Sequence, residues 1–419
     1  MNSRTKCHFL HSLTWYHPRY PYDEQAAKIA HSQLPTLLRS IQSPTSTPDP
    51  LFTSPLSEQE LEDEIKKLPP DKSPGEDGVT NRMIQAGGDH FRALLFELFQ
   101  TLWEKEVQPK AWNMSLLIPI YKGGGKERAD PASYRGIYLN SALAKLFEGI
   151  LISRLTRFTE AHCTLTQNQL GTRPGLQIHD AIYTLISLIT FNYHLTKQPT
   201  YVAFLDYSTA FPSVHRAKLL ASLSECGIVG RMWMHLRARF QSVFIRVLHP
   251  GIRESNTVEI LRGLPEGSRL SPTLFGIFVS DLINTLKKKF PNASVAWGGS
   301  SVWIGGILYV DDLCLISANP QELQNMIHEC QKWSERARLQ LNASKSKVMA
   351  FNETSRQKSA RRQPRWTNGT LRDPDPSTLY PISQSTPLML SPPSRRLKPS
   401  ITWASHSIRT SACKLRWIR

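Results

Sequence analysis

Three aspartates have the chemistry and the setting of a reaction centre. Asp206 ends the apolar run TYVAFLD (200–206), and Asp311 and Asp312 stand together inside ILYVDDLCLIS (307–317). A carboxylate at the end of an apolar strand costs free energy unless it is paired, protonated or bound to a metal. Two adjacent aspartates repel one another, and a divalent cation is the usual reason that a fold tolerates them. Hard oxygen ligands suit Mg²⁺, which draws its remaining ligands from water and substrate phosphates. Two such ions about 3.5–4 Å apart activate an attacking hydroxyl and stabilise the leaving oxygen in phosphoryl transfer. Taken alone, Tyr309-Val310-Asp311-Asp312 is equally an ordinary acidic turn; apolar residues on both sides, which would bury all but its tip, set it apart.

The elements that must hold these acids can be read around them. Residues 200–206 read as a buried strand, and 307–317 as a hairpin with the acids at its tip. Residues 321–338 read as a helix with Leu323, Met326, Ile327, Cys330 and Trp333 inward, and 339–351 as a turn and a strand. Upstream, Ser57 with Glu60 forms a capping box, and Leu61, Ile65 and Leu68 continue one helical face. Phe91, Leu94, Leu95, Leu98 and Leu102 mark a second helix over 89–106. A third runs through Leu143, Leu146, Phe147, Ile150, Leu151 and Leu155. SLLIPIYK (115–122) has strand character, GGGKERADPAS (123–133) is a loop, and 215–240 is helical and basic. The segment 41–55 is rich in Pro, Ser and Thr and reads as a linker, while the apolar period vanishes after about residue 354.

Composition narrows the classes. The chain has 419 residues, 40% of them hydrophobic, with 51 Lys and Arg against 34 Asp and Glu, a net charge of +17. That excess points first to a nucleic-acid partner. It is unevenly placed: residues 355–419 hold 13 basic and 2 acidic residues, +11 of the total, which leaves +6 for 1–354. The six cysteines are scattered without a C-x-x-C pair, which argues against a disulfide scaffold and fits a reducing compartment. Cys7, His8, His11 and His17 lack a regular ligand spacing. Residues 1–20 show no secretory signal pattern, and the longest apolar stretch, 181–195, is too short and too polar to span a bilayer. GGGK (123–126) is not a Walker loop, because Glu127 follows Lys126.

Over about 57–351 the sequence resembles the reverse transcriptase domain of non-LTR (LINE-type) retrotransposons. Seven blocks stand in that family's order: 68–84, 112–125, 130–155, FLDYSTAF (204–211), GLPEGSRLSPTLFGIFVSDL (263–282), YVDD (309–312) and LNASKSKVMAF (341–351). The resemblance implies an α+β fold of the right-hand polymerase kind. Its parts would be an N-terminal extension (1–40), a linker (41–56), fingers (57–199), a palm with a small antiparallel sheet (200–354) and a disordered basic tail (355–419). It also implies RNA-directed DNA synthesis, in which a primer 3′-hydroxyl attacks a deoxynucleoside triphosphate. The partners would then be an RNA template, a DNA primer or target and dNTPs, with two Mg²⁺ ions, replaceable by Mn²⁺, and no membrane. The expected location is intracellular, in nucleus or cytoplasm as a ribonucleoprotein.

By the same resemblance Asp206, Asp311 and Asp312 fall on the metal-binding catalytic aspartates. Phe211 falls on the bulky side chain that blocks a ribose 2′-hydroxyl, a clash that selects deoxynucleotides. Lys122 and Arg135 fall on the residues that hold the triphosphate. Gly263, Pro265, Glu266, Gly267 and Ser271 lie in the block beneath the nascent base pair. Lys345 or Lys347, with Lys345 preferred, falls on the lysine near the pyrophosphate leaving group, a candidate general acid. Three positions depart from the pattern: Glu266 replaces a usual Gln, Pro212 a common acid and Gly136 a usual Pro. Glu266 would face an anionic nucleotide unless a cation or Arg269 offsets it. The 56 residues before the matched region leave no room for the family's endonuclease, and no thumb pattern follows Phe351. The expectation is therefore a truncated element retaining fingers and palm, with an inactive remnant that at most binds RNA as the alternative.

Overall fold

The computed structural model describes residues 48–248, 256–297, 300–354, 357, 365–366 and 369–370. The expected extension 1–40, with Cys7, His8, His11 and His17, and nearly all of the expected tail lie outside the described residues. After a 3-10 turn (Pro50–Phe52) come helices α1 (Glu58–Lys66), α2 (Asn81–Ala86) and α3 (Asp89–Lys105). Strands β1 (Met114–Tyr121) and β2 (Tyr134–Asn140) precede α4 (Ala142–Ala161), α5 (Ile178–Phe191) and β3 (Thr200–Leu205). Then follow α6 (Arg216–Glu225), α7 (Gly230–Phe240), β4 (Val243–Val247), β5 (Val258–Ile260) and α8 (Ser271–Lys289). Strands β6 (Ser294–Trp297), β7 (Ser300–Trp303), β8 (Gly306–Tyr309) and β9 (Asp312–Ser317) lead to α9 (Pro320–Ala337) and β10 (Lys347–Phe351). Two short strands, β11 (Arg365–Trp366) and β12 (Gly369–Thr370), pair antiparallel. The class is α+β, as expected.

The chain forms two compact units that interleave along the sequence. The first takes the described residues of 48–177, 209–285 and 333–340. Its sheet runs β2-β1-β4-β5, with β1 and β4 parallel and the outer pairs antiparallel. Its centre is α4, which is buried almost all round and is therefore a core helix rather than a surface one. Buried charges on such a helix must be paired. Glu148 pairs with Arg239 of α7 at 2.7 Å, both side chains being 2% exposed. Arg154 pairs with Glu60 at 2.6 Å, donates to the carbonyls of Leu51, Ser54 and Pro55, and lies over the Trp103 ring.

The second unit takes the described residues of 178–208, 286–332 and those from 341 on. Its sheet, β10-β3-β9-β8, is antiparallel throughout. The middle strands β3 and β9 are buried along nearly their whole length. This explains why both read as continuous apolar runs rather than alternating ones. No helix among the described residues is long and apolar enough to cross a membrane.

Several local expectations are corrected. Residues 48–56 are not a free linker. Phe52 is fully buried, its ring 4.7 Å from that of Phe158, and Arg154 gathers the surrounding carbonyls. Proline and serine around a single aromatic hid this anchor. The helix expected over 215–240 is two helices, broken at Cys226–Val229, where Gly227 adopts a φ of 82°. On α3 the inward residues are Leu95, Phe99, Leu102 and Trp103, while Phe91, Leu94 and Leu98 are exposed. Two apolar stripes overlap on that helix, and the aromatic packing of Phe99 on Trp112 and Phe147 decides between them. The β11–β12 pair falls in a segment expected to hold no strand.

Candidate active site

Asp206 follows the last residue of β3, and β9 opens with Asp312. The β3–β9 ladder ends at Leu205 opposite Leu313, so its register, carried one step on, sets Asp206 opposite Asp312. The β10–β3 ladder ends at Lys347 opposite Phe204; beyond it the register shifts, Tyr207 bridging Leu341, and Lys345 lies in the turn 343–345 before β10. Residues that face each other across antiparallel strands share a face. Asp206 and Asp312 therefore lie in one row, and Lys345 reaches Asp206 from the turn before β10. Strands β8 and β9 close through Val310 and Asp311, with Tyr309 opposite Asp312. Val310 has a φ of 60°. A β-branched side chain in this left-handed region costs about 1–2 kcal/mol. The turn that presents Asp311 is thus locally strained, a condition that rigid sites impose on functional loops.

The electrostatics converge on Asp206. Burial holds its carboxyl above the usual aspartate range, the Lys345 charge pulls it down, and the Asp311 charge pushes it up again. Lys345 Nζ stands 3.4 Å from Asp206 Oδ2. The pairing is ionic, since that buried oxygen has no hydrogen-bond partner. Lys347 instead donates to the Ser344 carbonyl, so of the two candidate lysines Lys345 is the one at the aspartate. Among the described residues no set of three or more acidic, histidine or cysteine side chains gathers as a metal cluster. What comes together is Asp206, Asp311 and Lys345. A hard-oxygen pair with one buried, unbonded carboxylate oxygen fits Mg²⁺, which is commonly held by one or two carboxylates with substrate phosphates completing its shell.

The remaining site residues belong to the first unit. Lys122 and Arg135 are exposed on the β1–β2 hairpin, whose loop starts where the Lys122 N–H donates to the Ser133 carbonyl. This agrees with the loop expected at 123–133. Phe211 is half-buried in a helical turn (Ala210–Ser213), its ring 5.0 Å from that of Phe275. Its carbonyl accepts from the Leu264 N–H, and the Gly263 N–H donates to the Val214 carbonyl. The 263–268 block is thereby bonded to the Phe211 turn. Gly263, at φ 86°, lies so close to Pro212 that a Cβ would sit 2.6 Å from its carbonyl oxygen. Gly267, at φ 80°, would place a Cβ 2.8 Å from the Tyr138 carbonyl oxygen on β2. Both positions need glycine for conformation and for close approach.

Glu266 is half-buried, and its charge, added to burial, drives the Tyr138 hydroxyl upward in pKa. Arg269, expected to offset that charge, is engaged by other acids: its guanidinium pairs with Glu64 at 2.7 Å, and its N–H donates to Glu148. Sequence reasoning passed over Arg216, which is buried and donates to the carbonyls of Gly263, Phe240, Ile260 and Arg262. It also passed over Glu148, Asn342 and Ser346. The available signal was a charge on an apolar helical face, as at Glu148 and Arg154, which has to be paired when buried.

Comparison with known proteins bears on the same residues. The sequence model of the family described as reverse transcriptase (RNA-dependent DNA polymerase) matches residues 120–378. The chain is 27% identical over 326 residues to the RNA-directed DNA polymerase from mobile element jockey of Drosophila funebris, covering 76% of this chain and 34% of that protein. It is 27% identical over 319 residues to the jockey polymerase of Drosophila melanogaster, covering 74% of this chain and 33% of that one. It is 24% identical over 290 residues to the retrovirus-related Pol polyprotein from type-1 retrotransposable element R2 of Bradysia coprophila, covering 69% and 31%. The chain thus spans about a third of the length of the curated relatives it matches.

Proposed function

The chain belongs to the reverse transcriptase (RNA-dependent DNA polymerase) family, and on that premise we propose that it carries the polymerase centre of a non-LTR retrotransposon and extends a primer on an RNA template with deoxynucleotides. The observation that carries this reading is the cluster of charges at the end of the second unit's sheet. There the buried, unbonded oxygen of Asp206 faces Lys345, with the Asp311 charge beside it. In this reading the fold is the right-hand polymerase type, with fingers in 57–199 and a palm in 200–354.

Asp206 and Asp311, with Asp312 in the same row, would hold Mg²⁺. When bound, the ion supplies acidification of the primer hydroxyl and neutralisation of phosphate charge. The protein's own groups do the rest by position. Lys345, whose Nζ stands 3.4 Å from the Asp206 carboxylate, is placed to donate a proton to the departing pyrophosphate. Lys122 and Arg135, exposed on one hairpin, hold the triphosphate, Arg135 with the paired donors that suit phosphate. Phe211, backed by Phe275, fills the space that a 2′-hydroxyl would need. The backbone at Gly267, together with Glu266, supports the nascent base pair. RNA template, DNA primer and dNTPs are the partners, and a ribonucleoprotein in nucleus or cytoplasm is the setting.

Primer extension on an RNA template with Mg²⁺ and dNTPs, run beside Asp311→Ala, tests the assignment. No extension above the variant by a folded chain refutes it. Equal extension with ribonucleotides refutes the role of Phe211.

A further inference from the structure

The turn between α9 and β10 touches Asp206 by its backbone as well as by Lys345. The Asp206 N–H donates to Ser346 Oγ at 3.2 Å. The Ser346 hydroxyl donates to the Asn342 carbonyl at 2.8 Å, and the Asn342 N–H donates to the Asp206 carbonyl at 2.7 Å. These three bonds close a ring around the backbone of the aspartate. The Asn342 side chain adds a second hold, since its Oδ1 accepts from the Lys345 N–H at 3.3 Å and from the Ser344 hydroxyl at 2.8 Å. Tyr207 and Leu341 form a β-bridge just beyond the ring. Ser346 is fully buried, so no water can replace its hydroxyl without a rearrangement. All of these residues lie in the second unit.

We propose that Ser346 and Asn342 are positioning residues that lock the Asp206 main chain to the turn carrying Lys345, so that carboxylate and ammonium keep one fixed spacing. The chemical logic is that the two charged side chains come from different strands and are joined by a single 3.4 Å ionic contact. One exposed lysine in an ionic contact carries large rotamer freedom, so the backbone bonds between its turn and the end of β3 must set the spacing. The Ser346 hydroxyl accepts from one side of that gap and donates to the other, which makes it the shortest mechanical link between acid and base. Removing the hydroxyl leaves the Asp206 N–H without its acceptor and frees the turn to shift. A displacement of about 1 Å at a reacting group costs up to about a hundredfold in rate.

This inference rests on the polymerase reading, and its test separates the two. Ser346→Ala, Ser346→Thr, Lys345→Met and the Ala/Met double variant of the full chain are compared in single-nucleotide primer extension, with thermal midpoints measured alongside. Ser346→Ala is expected to lower kcat by about 10- to 100-fold while KM for the nucleotide stays within twofold, and Ser346→Thr restores kcat to within threefold. In the Lys345→Met background the same serine change is expected to cost less than threefold, because the spacing it protects no longer matters. An equal loss in both backgrounds, or a loss tracking only the folded fraction, overturns the proposal. Amide hydrogen exchange on the wild-type chain gives an independent arm. Exchange of the Asp206 amide as slow as the interior of β3 supports the ring, and exchange at the rate of an open loop overturns it, even if no variant folds. Should the wild type fail to extend a primer, the polymerase reading falls while the exchange result still decides the ring.

Discussion

Replacing Glu148 with alanine removes the acceptor on which two parts of the first unit depend. Its Oε1 accepts from Arg239 Nε at 2.7 Å and its Oε2 from the Arg269 N–H at 2.9 Å. Arg239 is 2% exposed and keeps only the Asn113 Oδ1 contact at 3.1 Å, one of its terminal nitrogens being already without a partner. Breaking a buried pair by removing one member costs about 3–5 kcal/mol, because the remaining charge cannot return to water. The Arg269 amide adds about 1 kcal/mol or more. A total of about 4–6 kcal/mol is a large share of the roughly 5–15 kcal/mol by which a native fold is stable. In urea, with a slope of about 2–3 kcal/mol per molar, the midpoint should fall by about 1.3–3 M. Tryptophan fluorescence reports it, since Trp103 and Trp112 are buried in the same aromatic cluster as Phe147. The paired change Glu148→Leu with Arg239→Met removes both charges and should cost much less than the single variants summed. A midpoint for Glu148→Ala within about 0.3 M of wild type, or a paired variant as damaged as the sum, would show that the pair is not what holds α4 to α7.

Three further changes have defined outcomes. His235 donates from Nε2 to the Trp103 carbonyl and stacks on its ring, and burial lowers its pKa to about 4 from 6.5. Its neutral form is favoured in the folded state, so its contribution is complete above about pH 6.5 and is lost as pH falls toward 4, roughly 3 kcal/mol in all. Chemical unfolding at pH 7 and at pH 4 should show a loss larger by about 3 kcal/mol in the wild type than in His235→Phe, since His215, also lowered to about 4, contributes to both. Gly267→Ala should lower stability by about 2 kcal/mol or more, from a left-handed φ of 80° and a Cβ forced against the Tyr138 carbonyl; an unchanged thermal midpoint would contradict the close approach. Val310→Gly relieves a left-handed β-branched residue but adds about 0.5–1 kcal/mol of backbone entropy, so stability should stay within about 1 kcal/mol of wild type. Primer extension by that variant should drop, because the turn presenting Asp311 loses its definition, and undiminished extension would show that the strain has no catalytic purpose.

Much of the candidate site is legible in the order of residues along the chain. Strands buried on both faces read as apolar runs, and a charge that interrupts such a run is conspicuous, which is how Asp206, Asp311 and Asp312 stand out. The capping box at Ser57 and Glu60 and the inward face of α9 are local patterns, and both are present as read. Less legible is anything that depends on which surface meets which. The overlapping stripes of α3 carry equal apolar content, and only the contact of Phe99 with Trp112 and Phe147 selects between them. Phe52 lies in a linker-like composition and becomes an anchor because Arg154, about a hundred residues on, binds the carbonyls around it.

The sequence by itself determined the acids, the order of the blocks, the class of fold and the family. Each of these rests on residue type and near-neighbour spacing, which the chain carries wherever it goes. Tertiary structure alone decided that Lys345 rather than Lys347 meets Asp206, because that choice depends on how the 342–346 turn closes on the end of β3. It alone decided that Glu148 bridges Arg239 and the Arg269 amide, and that Ser346 and Asn342 close a ring on Asp206. The partners in these contacts lie about 90 to 140 residues apart. At such separations no local pattern names the partner, since strand register and helix packing determine which polar group is near enough to satisfy another away from water.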